Sequence, residues 1–90
     1  MLDIILTNQF KKDYVLVEKR RKDMSRIKEV MSFIVEQKTL SPQYHNHLLH
    51  GDYEGKSECH IQSDWLLIYR VEETSNSVVF YRTGTHSDLF

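Results

Sequence analysis

All five histidines of this 90-residue chain fall between positions 45 and 86. Histidine, with an unperturbed pKa of about 6.5, is the side chain that can take or give a proton at neutral pH. His60 stands out among them. In the alternating stretch Ser57–Gln62, Cys59 and Ile61 fall on one face, and Glu58, His60 and Gln62 on the other. Asp64 and Trp65 open the next apolar stretch, and Arg82 closes the one after it. Thr83-Gly84-Thr85-His86 follows at once, with a glycine where the backbone must turn tightly. If Trp65–Val71 and Val78–Arg82 pair as a hairpin, its open end gathers Asp64, Trp65, Arg82 and His86, with His60 at the same end. Two imidazoles, a carboxylate and a guanidinium would then converge on one sheet edge. Each also has a plain reading: a strand histidine is often just hydrogen-bonded, Arg82 can simply pair with an acid, and Trp65 and Tyr69 suit a core. His45, His47, His50, Cys59 and His60 are zinc-compatible types, but their spacing matches no strong zinc pattern, and Cys59 belongs on the core face.

The elements that position these residues follow from periodicity. Leu2–Leu6 reads as a first strand, after which Thr7 or Asn8 can cap a helix. Phe10, Tyr14, Val17 and Arg21 recur at helical spacing, with lysines between them. Asp23 can cap a second helix carrying Met24, Ile27, Val30, Met31, Phe33, Ile34 and Val35. Residues 38–50 lose periodicity and hold Pro42, so they read as a connecting loop. Ser57–Gln62, the nearly continuous apolar Trp65–Val71, and Val78–Arg82 read as strands, with Glu72–Ser77 as a polar turn. The expectation is an α+β domain over residues 1–90: one N-terminal strand and a two-helix hairpin packed on a mainly antiparallel sheet of about four strands.

Composition narrows the class. With 40% hydrophobic and 28% charged residues the chain is globular in character. Nothing approaches the roughly 20 apolar residues that span a bilayer. A single cysteine allows no internal disulfide, so the expectation is a cytoplasmic domain. The net charge of −1 hides an asymmetry: residues 1–28 carry eight Lys/Arg against four acids, and the remainder four against nine. Lys11, Lys12, Lys19, Arg20, Arg21 and Lys22 are either a solvated helix face or an electrostatic footprint for nucleic acid.

Asn46-His47-Leu48-Leu49-His50-Gly51-Asp52-Tyr53, Glu58-Cys59-His60-Ile61, Asp64-Trp65-Leu66-Leu67-Ile68-Tyr69 and Arg82-Thr83-Gly84-Thr85-His86-Ser87-Asp88-Leu89-Phe90 resemble the YafQ branch of the RelE/ParE toxin superfamily. The resemblance runs from Phe10 to Phe90. It implies a RelE-like fold and an mRNA interferase, the toxin of a type II toxin–antitoxin pair, which cuts translated mRNA in the ribosomal A site without a metal or other cofactor. The implied partners are a cognate antitoxin, the 70S ribosome and mRNA.

By similarity, His47, His60, Asp64, Arg82 and His86 match catalytic positions, and Trp65 and Phe90 match positions contributing to activity. In such a reaction His86 would be the general acid and His60 with Asp64 would serve the base side. Arg82 would stabilise phosphate charge with its fork, and His47 would hold the phosphate or assist proton transfer. Trp65 and Phe90 offer flat surfaces to a base, and Lys11 to Lys22 could grip ribosomal RNA. The sequence departs from the family pattern at Ser57, often basic, Ser63, commonly proline, and Tyr53, usually tryptophan. The alternatives are a ParE-like gyrase inhibitor, for which titratable groups are unnecessary, and a catalytically impaired binder of antitoxin or ribosome.

Overall fold

Thr7 ends the first strand and begins the first helix. The computed structural model describes residues 1–90. Strand β1 (Asp3–Leu6) leads to helix α1 (Asn8–Lys19), whose N-cap Thr7 accepts the Phe10 N–H through its hydroxyl at 2.9 Å. Satisfying one of the four orphan donors of a helix start is what makes threonine a good cap. Arg21 turns the chain in a left-handed conformation, and Asp23 caps helix α2 (Met24–Val35) by accepting the Ser25 N–H at 3.1 Å. Strands β2 (His47–Leu48), β3 (Ser57–Gln62), β4 (Trp65–Glu72) and β5 (Ser77–Gly84) follow, and helix α3 (His86–Leu89) comes last.

The strands form one sheet in the order β1-β5-β4-β3-β2, with β1 parallel to β5 and every other pair antiparallel. One sheet face meets the helices. There Phe10, Val17, Ile27, Val30, Ile34 and Val35 pack with Cys59, Ile61, Trp65, Leu67, Tyr69, Val78 and Phe80 in one core. The opposite face carries a smaller cluster, Leu66, Ile68 and Leu89, flanked by Leu49, Tyr53 and Tyr81. β4 lies at the centre of the sheet with apolar side chains on both faces, which is why its sequence barely alternates.

The α+β expectation holds, with three differences. The sheet has five strands, because His47 and Leu48 pair with Glu58 and Ser57 inside the segment read as a loop. Two residues are too few to show a period. β1 is the edge strand, and only the preceding Leu2 reaches the core; Ile4, Ile5 and Leu6 stay partly exposed. The third is α3, a single turn where a glycine turn is expected, made by a capping box. The Thr85 hydroxyl accepts the Asp88 N–H at 3.1 Å, and the Asp88 carboxylate accepts the Thr85 N–H at 2.9 Å.

One irregularity aims the site. Ile68 pairs with Arg82 but Tyr69 pairs with Phe80, so Tyr81 is an extra residue in β5. Such a bulge re-aims the side chains beyond it. β1 ends opposite Phe80, which leaves the far half of β5 with a free edge. α1 covers that edge: Thr7 donates to the Tyr81 carbonyl at 2.9 Å, and buried Asp13 accepts the Thr83 N–H at 3.2 Å.

Candidate active site

The open end of the β4–β5 hairpin brings Asp64 to His86, two residues beyond the Leu66–Gly84 pair on each strand, and His60 faces Leu66 from β3. His60 and His86 meet edge to face with ring centres 5.8 Å apart. Asp64 holds His86 twice through one oxygen, accepting its backbone N–H at 3.0 Å and lying 2.7 Å from its Nδ1. A carboxylate facing Nδ1 places a hydrogen there and leaves Nε2 without a protein partner. The His86 backbone N–H, then its ring, hold the Asp64 carboxyl below the usual carboxylate range, and the charge of Lys22 adds to the effect.

The frame around His86 is built from both ends of the chain. Asp88 accepts both terminal nitrogens of Arg20, at 2.6 and 3.2 Å. That guanidinium, then the Thr85 N–H, hold the Asp88 carboxyl far below its ordinary value. Gly84 has to be glycine: its φ is +155°, and a Cβ there would lie 2.8 Å from an Asp88 carboxylate oxygen and 3.0 Å from the Asp88 Cβ. The Tyr53 hydroxyl donates to the Leu89 carbonyl at 2.8 Å, and its ring meets Phe90 edge-on at 5.3 Å.

On the β3 side, buried Glu58 places Oε1 3.4 Å from Nε2 of His60 and 3.4 Å from Nε2 of His47, its register partner on β2. His47 Nδ1 lies 2.7 Å from the carbonyl of His45, whose own ring centre is 5.3 Å from that of His60. An open cleft of about 890 Å³ adjoins these rings, lined by Arg26, Gln43, Tyr44, His45, His47, His60, Gln62 and Ser63 among others.

Of the residues singled out in the sequence, His47, His60, Asp64 and His86 come together as a chain of contacts. Arg82 lies on the same row as Glu58, with Ile68 between them. That is two strand spacings, about 10 Å. Its fork is not free, because Nε and Nη2 bind Asp13 at 3.0 and 3.1 Å. Those bonds push the guanidinium's pKa further up, and the Tyr53 hydroxyl lies against it. Any bond to phosphate falls to the remaining edge of the group.

Trp65 is not a stacking surface: it is 1% exposed, and its indole N–H donates to the Thr83 hydroxyl at 3.0 Å. Phe90, 64% exposed, does present a face. Arg20 serves as the clamp on Asp88, while Lys11, Lys12, Lys19 and Arg21 are exposed and Lys22 is half-buried. His50 pairs with Glu54 on the surface. Sequence reasoning missed Asp13, Glu58, Tyr53 and His45. Glu58 carried a signal, an acid on the same strand face as His60. Asp13 gave none, since an acid among helix lysines reads as solvated.

An α+β fold carrying a cluster of histidines and carboxylates at one sheet end has relatives among bacterial toxins. Residues 2–90 match the family described as bacterial toxin of type II toxin-antitoxin system, YafQ. The mRNA interferase toxin YafQ of Escherichia coli K12 is 38% identical over 89 residues, covering 98% of this chain and 95% of that protein. The toxin chain of the E. coli DinJ–YafQ complex superposes with a TM-score of 0.90 at 36% identity, covering 100% of this chain and 99% of its own. A metal-bound toxin from Helicobacter pylori superposes at 0.93 with 32% identity over the full length of both. This chain belongs to the YafQ family of bacterial toxins of type II toxin–antitoxin systems.

Proposed function

We propose that this chain is an endoribonuclease that cuts mRNA on translating ribosomes by histidine acid–base chemistry, and that a cognate antitoxin neutralises it in the cytoplasm. The endoribonuclease class follows its relatives, which are named mRNA interferase toxins. The partner follows the DinJ–YafQ complexes of E. coli. The observation that carries the chemistry is the pairing of His60 and His86, two imidazoles 5.8 Å apart with carboxylates behind them.

Cleavage of RNA through its own 2′-OH needs a base at that hydroxyl, positive charge near the crowded phosphate, and an acid for the departing 5′-oxygen. His86 has Nδ1 on Asp64 and Nε2 free to face the scissile phosphate, an orientation that suits the acid. His60 serves the base side. Arg82 supplies fixed positive charge through the edge that Asp13 leaves open, held rigid by that same carboxylate. The open cleft of about 890 Å³ along His45, His47 and His60 has room for a nucleotide, and exposed Phe90 offers a face to an unstacked base. Lys11, Lys12, Lys19, Arg21 and Lys22 remain available to RNA phosphates.

Primer extension on a reporter mRNA in a purified translation system tests this, comparing the wild-type chain with His86→Ala in chelator-treated protein. Cuts that require translating ribosomes, persist with chelator and vanish in the variant are the expected result. Uncut mRNA with a folded, antitoxin-free protein would overturn the reading, and arrested DNA supercoiling in parallel would identify a gyrase inhibitor instead.

A further inference from the structure

Helix α3 is a single turn of four residues, too short to be held by its own backbone bonds. It nevertheless carries His86 at its first position, and Phe90 follows it directly. Its N-terminal end is fixed by the capping box of Thr85 and Asp88. Arg20 adds an ion pair to Asp88, but that pair is partly exposed and open to screening by salt. The C-terminal end needs a different partner, because the last carbonyls of a helix have none within it. Tyr53 supplies one. Its hydroxyl donates to the Leu89 carbonyl at 2.8 Å, and its ring meets Phe90 edge-on at 5.3 Å.

Tyr53 is itself firmly placed. It closes a 3₁₀ turn (Gly51–Tyr53), and its carbonyl accepts the Lys56 N–H at 3.0 Å. Its half-buried ring packs against the cluster of Leu66, Ile68 and Leu89. Leu89 is therefore gripped twice, by its buried side chain and by its carbonyl. We propose that Tyr53 is a positioning residue for cleavage: its hydroxyl on the Leu89 carbonyl and its ring against Phe90 hold α3 in place, and so keep His86 on Asp64. This rests on the ribonuclease reading above and extends it to a residue that acts through α3. The same hydroxyl lies against the Arg82 guanidinium, so one side chain touches both the turn that carries His86 and the fixed cation of the site.

Hydrogen–deuterium exchange of the α3 amides, read by NMR in the wild-type chain and in Tyr53→Phe, is the first test, and it needs neither ribosome nor mRNA. The Leu89 and Phe90 N–H groups bond to the Thr85 and His86 carbonyls at 3.2 and 2.9 Å and should be protected in the wild type. Tyr53→Phe keeps the ring and removes one hydrogen bond, so their exchange should quicken about three- to tenfold. The difference should persist at high salt, which weakens only the Arg20–Asp88 pair. Unprotected α3 amides in the wild type, or unchanged exchange in a folded Tyr53→Phe chain, would overturn the proposal. The second test is cleavage on translating ribosomes. In Tyr53→Phe, kcat should fall about three- to tenfold with KM unchanged, because His86 shifts while the surfaces that meet RNA remain. A lower melting temperature with kcat intact would show that the residue only packs. Tyr53→Trp restores a donor through its indole N–H and should regain part of both losses; a folded Trp variant no better than Phe would count against a role through the bond. If Tyr53→Phe does not fold, the wild-type chain still decides: a slowly exchanging Tyr53 hydroxyl proton with cross-peaks to Leu89 and Phe90 is expected, and its absence would sink the assignment. A wild-type chain with protected α3 amides that cuts no mRNA would remove the ribonuclease reading while leaving the anchoring of α3 standing.

Discussion

Two carboxylates flank the histidine cluster, and they differ in almost every physical respect. Glu58 is buried in β3 and shared between two rings at 3.4 Å, longer than a formed hydrogen bond. Asp64 is exposed in the β3–β4 turn and serves one residue, His86, at 2.7 and 3.0 Å. The exposed acid acts by geometry: water screens its charge, but two bonds to one residue fix a tautomer. The buried acid instead packs between two rings and hydrogen-bonds to neither. One site thus uses short directional bonds at its exposed end and looser packing contacts at its buried one.

The comparison can be broken at either end. The largest effect belongs to the rings themselves: His86→Ala and His60→Ala should each reduce single-turnover cleavage by about 10²–10⁴-fold. The double variant should lose little more than the worse single one if both rings serve one step, and fully additive losses would separate them. Next comes the scaffold of the Asp64 side. Gly84→Ala forces a Cβ against Asp88 and breaks the cap of α3. It should cost about 1–3 kcal/mol, roughly 5–15 °C in a thermal melt for a domain of this size.

Asp64→Asn keeps an acceptor opposite His86 but removes its charge. About a tenfold drop in cleavage is expected, with a small drop in the melting temperature at pH 7, because the carboxyl is exposed and contributes little to stability. The smallest effect is on stability in acid. The carboxyls of Asp64 and Asp88 are both held below their ordinary range in the folded chain. The stability they give is therefore present above the unfolded value of about 3.9 and is lost as pH falls through the folded one. The melting temperature should be flat in these groups from pH 7 to 5 and decline below about pH 4, less steeply in Asp64→Asn. Cys59 provides a control on the buried side: burial, with the charge of Glu58 adding to it, pushes its thiol up to about 12, so alkylation of the folded protein at pH 8 should be negligible.

Much of this site was legible because alternation and helical period report which face a residue occupies. The placing of His60 opposite Cys59, and of Asp64 near His86 through the β4–β5 hairpin, needed nothing more. The caps at Thr7 and Asp23 were equally readable, being local chemistry. What escaped depends on contacts between distant segments. Asp13 meets Arg82 across 69 positions and Arg20 meets Asp88 across 68, so neither pairing leaves a local pattern. Trp65 escaped for a different reason: an aromatic beside a candidate site suits stacking and packing equally, and only the Thr83 hydroxyl under its indole decides for packing. Two-residue β2 fell below any detectable period.

The extra residue at Tyr81 also bears on how this chain can vary by descent. Every position of β5 after it is one step out of phase with the positions before it, relative to β4. Losing a single codon there would leave Phe80 opposite Tyr69 and Arg82 opposite Ile68, so no side chain would change face, but it would remove the carbonyl that accepts the Thr7 hydroxyl and the extra twist that a bulge gives the strand. Substitutions at Tyr81, which keep both, should be tolerated better than its deletion. Length changes should instead accumulate in the exposed Glu73–Asn76 turn, where nothing downstream depends on the count.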